Sequence, residues 1–303
     1  MGQVLVVGGA NVDVVAQSTG RFTPGTSNPG RTYSSAGGVG RNIAANLGRL
    51  GVPTTLITAF GDDTFGRRLR DETAAAAVDL THAVELPMPS GSYLAMLDAD
   101  GELVGAVSDM AAAESLRAEH VPEDVVAAAA YVVLDANLSA ELLEHVCRAA
   151  AAHGVAVVID PVSVPKADRV LKALHAGPVH TITPTRTELV ALTGEDDLDK
   201  GVAALRDLGV GRVWVREGAS GSTLFAPGSS THVAAIPADV RNVTGAGDAM
   251  AAAYVHALVT GHDDVTAARH GAAAAYLTIT SEHTVRPDLT PALIGNVLKE
   301  PHS

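Results

Sequence analysis

Short runs rich in Val, Ile, Leu and Thr recur along the chain, over residues 4–7, 54–58, 131–134, 155–159, 181–183 and 212–215. Gly, Pro or Asp bounds them, as expected of strands. Between and after them lie stretches with helical spacing, over 41–50, 65–77, 140–153, 170–176, 187–193, 199–208, 246–259 and 264–278. Strands that are apolar at nearly every position have no face left for water, so both faces of their sheet must be covered. Strand–helix alternation supplies that cover and predicts an α/β fold around a mostly parallel sheet. The residue supply agrees: 47% of the chain is hydrophobic, yet only 3% is aromatic, which suits Val-rich strands under Ala-rich helices. So few aromatic rings also argue against a stacking surface for single-stranded nucleic acid.

Two segments break the alternation. Residues 14–35 are rich in Gly, Ser, Thr and Pro, including Ser27-Asn28-Pro29-Gly30. Residues 84–109 carry a hairpin pattern, with alternation over 92–98, a turn at Asp98-Ala99-Asp100-Gly101 and a second run over 102–107. Neither is long enough to be a domain. Residues 1–303 are therefore expected to form one domain, with 14–35 and 84–109 as a small β-flap over the open face of the main sheet.

With 21 basic and 34 acidic residues, the formal charge of −13 opposes non-specific binding to polyanions. A nucleotide ligand would have to be held by local groups. Cys147 is the single cysteine, which rules out an intrachain disulfide and a Cys-based zinc site, and its helical setting predicts a buried, inert thiol. Residues 1–7 read as a strand without the basic start of a signal peptide, and no apolar run approaches the roughly 20 residues of a membrane span. A cytoplasmic location is expected.

Chemistry concentrates in a few segments. Asn242-Val243-Thr244-Gly245-Ala246-Gly247-Asp248 runs into a helix of small residues. Gly245, Ala246 and Gly247 leave backbone N–H groups open to a phosphate, and the helix adds roughly half a positive charge at the same point. Asp248 could take a proton from an attacking hydroxyl. The same tetrapeptide would also serve as a tight turn with Asp248 as helix cap. Gly8-Gly9-Ala10-Asn11-Val12-Asp13 lacks the dinucleotide-binding glycine fingerprint. Asn11 and Asp13 alternate beyond the first strand's C-terminal end, where open α/β sheets bind ligands, and suit adjacent sugar hydroxyls as well as a polar turn. In Ala36-Gly37-Gly38-Val39-Gly40-Arg41-Asn42, the glycines permit close backbone approach and Asn42 could face a hydroxyl.

Around Gly218 and Gly221, a glycine loop beside phosphates and an ordinary hairpin turn read equally well. Glu188, after Pro184-Thr185-Arg186-Thr187, suits either a hydrated Mg²⁺ or the dipole of its own helix. Arg41, Lys166 and Arg216 offer local positive charge or an outward-facing one. The histidines form no ligand pair, and no Gly-x-Ser-x-Gly elbow occurs.

Taken together, these segments resemble the ribokinase-like, or PfkB, carbohydrate kinase family over essentially the whole chain. Its two signature regions correspond to residues 37–51 and 242–255, with Asn11-x-Asp13 in the expected order and spacing. The resemblance implies a three-layer α/β sandwich with a β-lid, ATP and Mg²⁺ as phosphate source, and phosphorylation of a sugar hydroxyl. It implies that Asp248 is the base and Gly245, Ala246 and Gly247 the anion hole. Asn11, Asp13, Gly38 and Asn42 would be sugar contacts, with Arg41, Asp109, Asn137 and Lys166 on the same acceptor side. Glu188 would belong to the metal motif, and Gly218 and Gly221 to the ATP-side turn, with Thr185, Arg216 and Thr244 also facing the nucleotide.

Fragments such as Ser108-Asp109-Met110, Asp135-Ala136-Asn137, Asp160-Pro161-Val162-Ser163 with Lys166, and Asn242-Val243-Thr244 are most similar to the pseudouridine-kinase branch. This similarity implies transfer to the nucleoside 5′-hydroxyl. A ribokinase, fructokinase or other nucleoside kinase stays open as an alternative, as does a silent nucleoside-binding regulator. Thr185 stands where the family's metal motif has Asn, and Asn242 where it often has Asp, which weakens the case for activation by K⁺. A homodimer through the β-flap is the expected assembly.

Overall fold

The computed structural model describes residues 2–300. Its main sheet runs, in spatial order, Ser229–Val233, Ser222–Ala226, Val210–Arg216, Val179–Ile182, Ala156–Asp160, Tyr131–Asp135, Val4–Val7, Thr54–Ile57 and Val78–Asp79. From Val210–Arg216 to Val78–Asp79 every neighbouring pair is parallel, and only the two outermost strands at the other end are antiparallel. The alternation in the sequence therefore builds the α/β fold it predicts. Ser222–Ala226 and Ser229–Val233, a hairpin closed at Gly228 with φ 74°, extend the sheet beyond the strands read from the sequence.

Period-two alternation explains why the strands are apolar throughout. Leu5 and Val7 point into one core with Val132, Leu134, Val157 and Ile159, whereas Val4 and Val6 point into another with Val133 and Val158. The helices Ala140–His153, Ala167–Leu174, Arg186–Thr193 and Leu198–Asp207 cover the first face. Val39–Arg49, Ala246–Val259 and Asp264–Ile279 cover the second. The result is the three-layer arrangement.

The Ala-rich composition acts on that second face. Ala249, Ala251, Ala252, Ala253 and Ala257 let Ala246–Val259 lie close between its neighbouring helices. Trp214 is fully buried beneath this layer, with its ring centroid 5.0 Å from that of Tyr254, and its indole N–H donates to Ser222 Oγ at 3.0 Å. Gly271 is required there, because a Cβ would lie 2.3 Å from the Trp214 ring. Cys147 is buried, and burial pushes its thiol up to about 12, which makes it unreactive as expected.

The two irregular sequence segments meet in a four-stranded sheet ordered Gly30–Gly37, Asn11–Ser18, Gly91–Leu97 and Leu103–Asp109. Asn11 and Asp13 are thus strand residues, paired with Gly37 and Ser35, rather than turn residues beyond the first strand. Their placement in a second sheet is a long-range pairing that the local glycines disguise. Short elements at Ala59–Gly61, Val84–Leu86 and Ala111–Glu114, and the helix Pro291–Lys299, have no counterpart in the sequence reading. The Ala-rich helical stretch read at Ala127–Ala130 is the end of a helix that starts earlier and spans Glu123–Ala128. Among the described residues, no helix is long and apolar enough to cross a membrane.

Candidate active site

The parallel strands deliver their C-terminal ends to one edge, and the polar residues foreseen in the sequence gather there. The helix Ala246–Val259 begins at Gly245, whose φ of 82° no other residue type adopts easily. A Cβ on Gly245 would also lie 2.1 Å from the Thr284 carbonyl oxygen. Asp248 is not the helix cap. It stands in the first turn, 9% exposed, and its Oδ2 accepts a 2.8 Å hydrogen bond from Asn42 Nδ2. Among the described residues, the N–H groups of Gly247 and Asp248 engage no acceptor, leaving the donors that an anion at this helix start would use.

Asn42 lies in the first turn of Val39–Arg49, which follows Gly38 at φ 95°. Its Oδ1 accepts from Arg41 Nη1 at 3.1 Å, while Arg41 also reaches Thr73 Oγ1 at 3.1 Å. Arg41 is therefore buried beneath the site rather than outward-facing, and burial draws its pKa down to about 10 against the pull of Glu72. Asn11 Nδ2 donates to Asp13 Oδ1 at 2.7 Å. Burial raises the Asp13 carboxyl, opposed by Asn11 and by the Arg41 charge. The glycines here first serve the chain itself: a Cβ at Gly37 would lie 2.4 Å from an Asp13 oxygen, and one at Gly38 2.4 Å from the Gly9 carbonyl oxygen.

Across the cleft, Arg216 ends its strand largely buried, with Nη1 3.1 Å from Asp160 Oδ2 and Nη2 3.6 Å from Glu188 Oε2. Burial opposes its charge, but Asp160, Glu188 and Asp248 together hold its pKa above the ordinary value. A Cβ on Gly247 would lie 2.4 Å from Arg216 Nη1, so guanidinium and helix start adjoin directly. Glu188 also completes a capping box, accepting from the Thr185 backbone N–H at 2.7 Å while Thr185 Oγ1 accepts from the Glu188 N–H at 3.3 Å. Among the described residues, no group of three His, Cys, Asp or Glu is arranged to hold a metal ion. Glu188 so placed suits a cation that keeps its waters and takes phosphate oxygens, as Mg²⁺ does.

The other foreseen residues divide between buried or half-buried and exposed positions. Lys166 Nζ donates to Asn137 Oδ1, and burial lowers the Lys166 pKa against the field of Asp135. Asp109 is exposed at the end of its strand and accepts from the Ala111 N–H at 3.1 Å. Thr244 is exposed, with its N–H held by Asn242 Oδ1 at 2.9 Å. Gly218 and Gly221 lie in the connection between the antiparallel strands Val210–Arg216 and Ser222–Ala226, so the hairpin reading of this loop is realised. Asp135 and Asp160 went unassigned in the sequence. Each is the last residue of a parallel strand, and that position was the available signal.

The buried carboxylates differ in how well they are supported. Burial, with Asp160 and Asp135 nearby, drives the Asp248 carboxyl up to about 7, against the lowering effects of Asn42 and Arg216. A group poised there can accept a proton near neutral pH.

A model of the pfkB family carbohydrate kinases matches residues 1–291. The chain is 34% identical to pseudouridine kinase of Escherichia coli K12, over 97% of this chain and 95% of that protein. It is 30% identical to Arabidopsis thaliana ribokinase, over 91% of this chain and 76% of that protein. Among solved structures, Arabidopsis thaliana ribokinase complexed with ribose and ATP superposes with a TM-score of 0.87 at 27% identity, covering 99% of this chain and 100% of that one.

The raised pKa carries a stability consequence. The folded protein holds the Asp248 proton more tightly than the unfolded chain, so this carboxyl weakens the fold progressively as pH rises from about 4 to about 7. Asp248→Asn is expected to stabilise the protein at pH 8 by about 1–3 kcal/mol, and by less at pH 5.5, in denaturant unfolding. Destabilisation at pH 8 would show instead that the carboxylate is well compensated.

Proposed function

Because the chain belongs to the pfkB family of carbohydrate kinases, we propose that it phosphorylates the 5′-hydroxyl of pseudouridine with ATP. Family membership makes it a phosphotransferase with an alcohol acceptor. The nucleoside is supported by the near full-length similarity to the Escherichia coli pseudouridine kinase, and the chemistry by one observation above all. That observation is the Asn42–Asp248 hydrogen bond, which joins a poised base to the side where acceptor hydroxyls would lie.

In this reading Asn11, Asp13 and Asn42 orient the ribose hydroxyls, with Gly38, Arg41, Asn137 and Lys166 completing that side and Asp109 at its rim. Asp248 receives the proton of the 5′-hydroxyl as that oxygen attacks. The N–H groups of Gly247 and Asp248 face the charge that develops on the transferring group, whereas that of Ala246 is donated to the Val243 carbonyl at 3.3 Å, and Arg216 adds a fixed positive charge alongside. Bound ATP would supply the phosphoryl group, its β–γ bond breaking as ADP leaves, and Mg²⁺ would offset the charge on the phosphate oxygens. Glu188 would orient the cation's waters, while Thr185, Thr244, Gly218 and Gly221 line the nucleotide side. The four-stranded sheet would act as a lid that excludes water, so that the 5′-hydroxyl is the only acceptor.

The lid sheet also exposes Tyr33, Leu94, Leu103, Val104 and Val107, which suits a homodimer formed through it. Light scattering is expected to give twice the chain mass, and a monomer at micromolar concentration would remove that proposal.

An acceptor panel with ATP tests the substrate. Pseudouridine is expected to exceed ribose, fructose, uridine and adenosine in kcat/KM by about tenfold or more, since a site built on buried polar groups rejects analogues that leave them unpaired. Faster turnover of ribose would point to the ribokinase alternative. Absence of ADP release with every acceptor would favour the silent regulator.

A further inference from the structure

Asp135 has no place in the chemistry above, yet it is among the most constrained side chains in the site. It ends the strand Tyr131–Asp135 and is 1% exposed. Oδ2 accepts the N–H of Gly9 at 2.9 Å and that of Gly40 at 2.6 Å, and Oδ1 accepts the N–H of Asn137 at 2.8 Å. Among the described residues, no basic group lies within ion-pair distance of it. Burial raises its pKa, against those three N–H groups and the more distant charge of Lys166. A buried carboxylate compensated by backbone dipoles holds those dipoles in place in return.

The three donors belong to the three segments that carry the acceptor-side residues. Gly9 leads into Asn11 and Asp13, Gly40 lies between Gly38 and the Arg41-Asn42 pair, and Asn137 receives Lys166. The chain makes room for this junction on both sides. A Cβ on Gly8 would lie 2.6 Å from Asp135 Oδ2, and one on Gly40 2.9 Å from the same oxygen. Gly8 and Gly40 are therefore spaces reserved for a carboxylate from a distant strand.

We propose that Asp135 is a positioning residue for the acceptor site, fixing residues 9–13, 38–42 and 137 relative to one another without touching the acceptor. The inference rests on the reading of those segments as the acceptor side. Asp135→Asn keeps the shape but replaces one accepting oxygen with a donor, so either the Gly9–Gly40 pair or the Asn137 N–H loses its partner. Displacements on the order of 1 Å among groups that orient a substrate cost on the order of a hundredfold in rate. The nucleotide side, built on residues 185–188, 216 and 244–248, is not attached to this carboxylate and should be spared.

The test is steady-state kinetics of wild type, Asp135→Asn, Gly40→Ala and Asp13→Ala, with the acceptor the wild type uses best, alongside thermal melting of each. In Gly40→Ala the added Cβ would meet the Gly8 Cα at 2.7 Å and Asp135 Oδ2 at 2.9 Å, so it strains the same junction and serves if Asp135→Asn does not fold. Expected for a folded Asp135→Asn or Gly40→Ala is a rise of about tenfold or more in acceptor KM, with ATP KM changed by less than about twofold. An acceptor KM unchanged in both while Asp13→Ala is impaired overturns the inference alone. Asp13→Ala with normal acceptor kinetics overturns the acceptor-side reading itself. Equal losses for acceptor and ATP, or failure of both Asp135→Asn and Gly40→Ala to fold, would make Asp135 a folding residue and overturn its positioning role.

Discussion

A carboxylate buried at the edge of a covered parallel sheet ionises only as far as its surroundings compensate the charge, and that constraint organises this site. Asp135, Asp160 and Asp248 are all less than a tenth exposed. Three backbone N–H groups hold Asp135. Arg216, Thr183 Oγ1 and the Val162 N–H hold Asp160, the last at a residue with φ 66°, a strained conformation for a β-branched side chain. Asp248 receives one side-chain hydrogen bond, from Asn42, and shares Arg216 with two nearer carboxylates. Burial, reinforced by Asp160 and Asp135, raises its carboxyl to about 7, where a proton moves at neutral pH. Asp135 and Asp160, each with more hydrogen-bond or ion-pair partners, fix backbone and charge around it.

This division joins the two ends of the chain. The Asn42–Asp248 bond spans 206 residues and couples the start of one helix to the start of another. Both helices lie on the same face of the sheet, where small residues allow them to approach. Their N-terminal ends consequently face one cleft, one offering the Asn42 amide, the other the Asp248 carboxylate and unengaged N–H groups. That pairing matches an alcohol attacking a phosphoryl group, and it gives physical content to the family assignment.

Local patterns carried much of this and long-range pairings carried the rest. The helix over 246–259 is legible to the residue, because an almost unbroken run of small residues follows Gly245, the positive-φ residue that starts it. Strand–helix alternation gave the main sheet for the same local reason. The hairpin at 222–233 was hidden, since the glycines before it read equally well as a phosphate loop. Asp135 reaches partners 126 and 95 residues away, and Arg216 is paired across 56 residues with Asp160. No sequence window contains those pairings. What the sequence did offer was the position of both Asp residues directly after a run read as a strand; the structure includes each as the strand's last residue.

The central claim is that Asp248 is a base poised by burial, and the pH dependence of kcat/KM for the acceptor tests it most directly. If Asp248 is the base, activity requires its ionised carboxylate, and kcat/KM is predicted to be level above about pH 7.5. Below about 7 it should fall tenfold per unit, with Asp248→Asn lowered by about 10²–10⁴-fold and lacking this ionisation. A wild-type profile that stays level down to pH 5, or an Asp248→Asn variant that keeps the same descending limb, would contradict it.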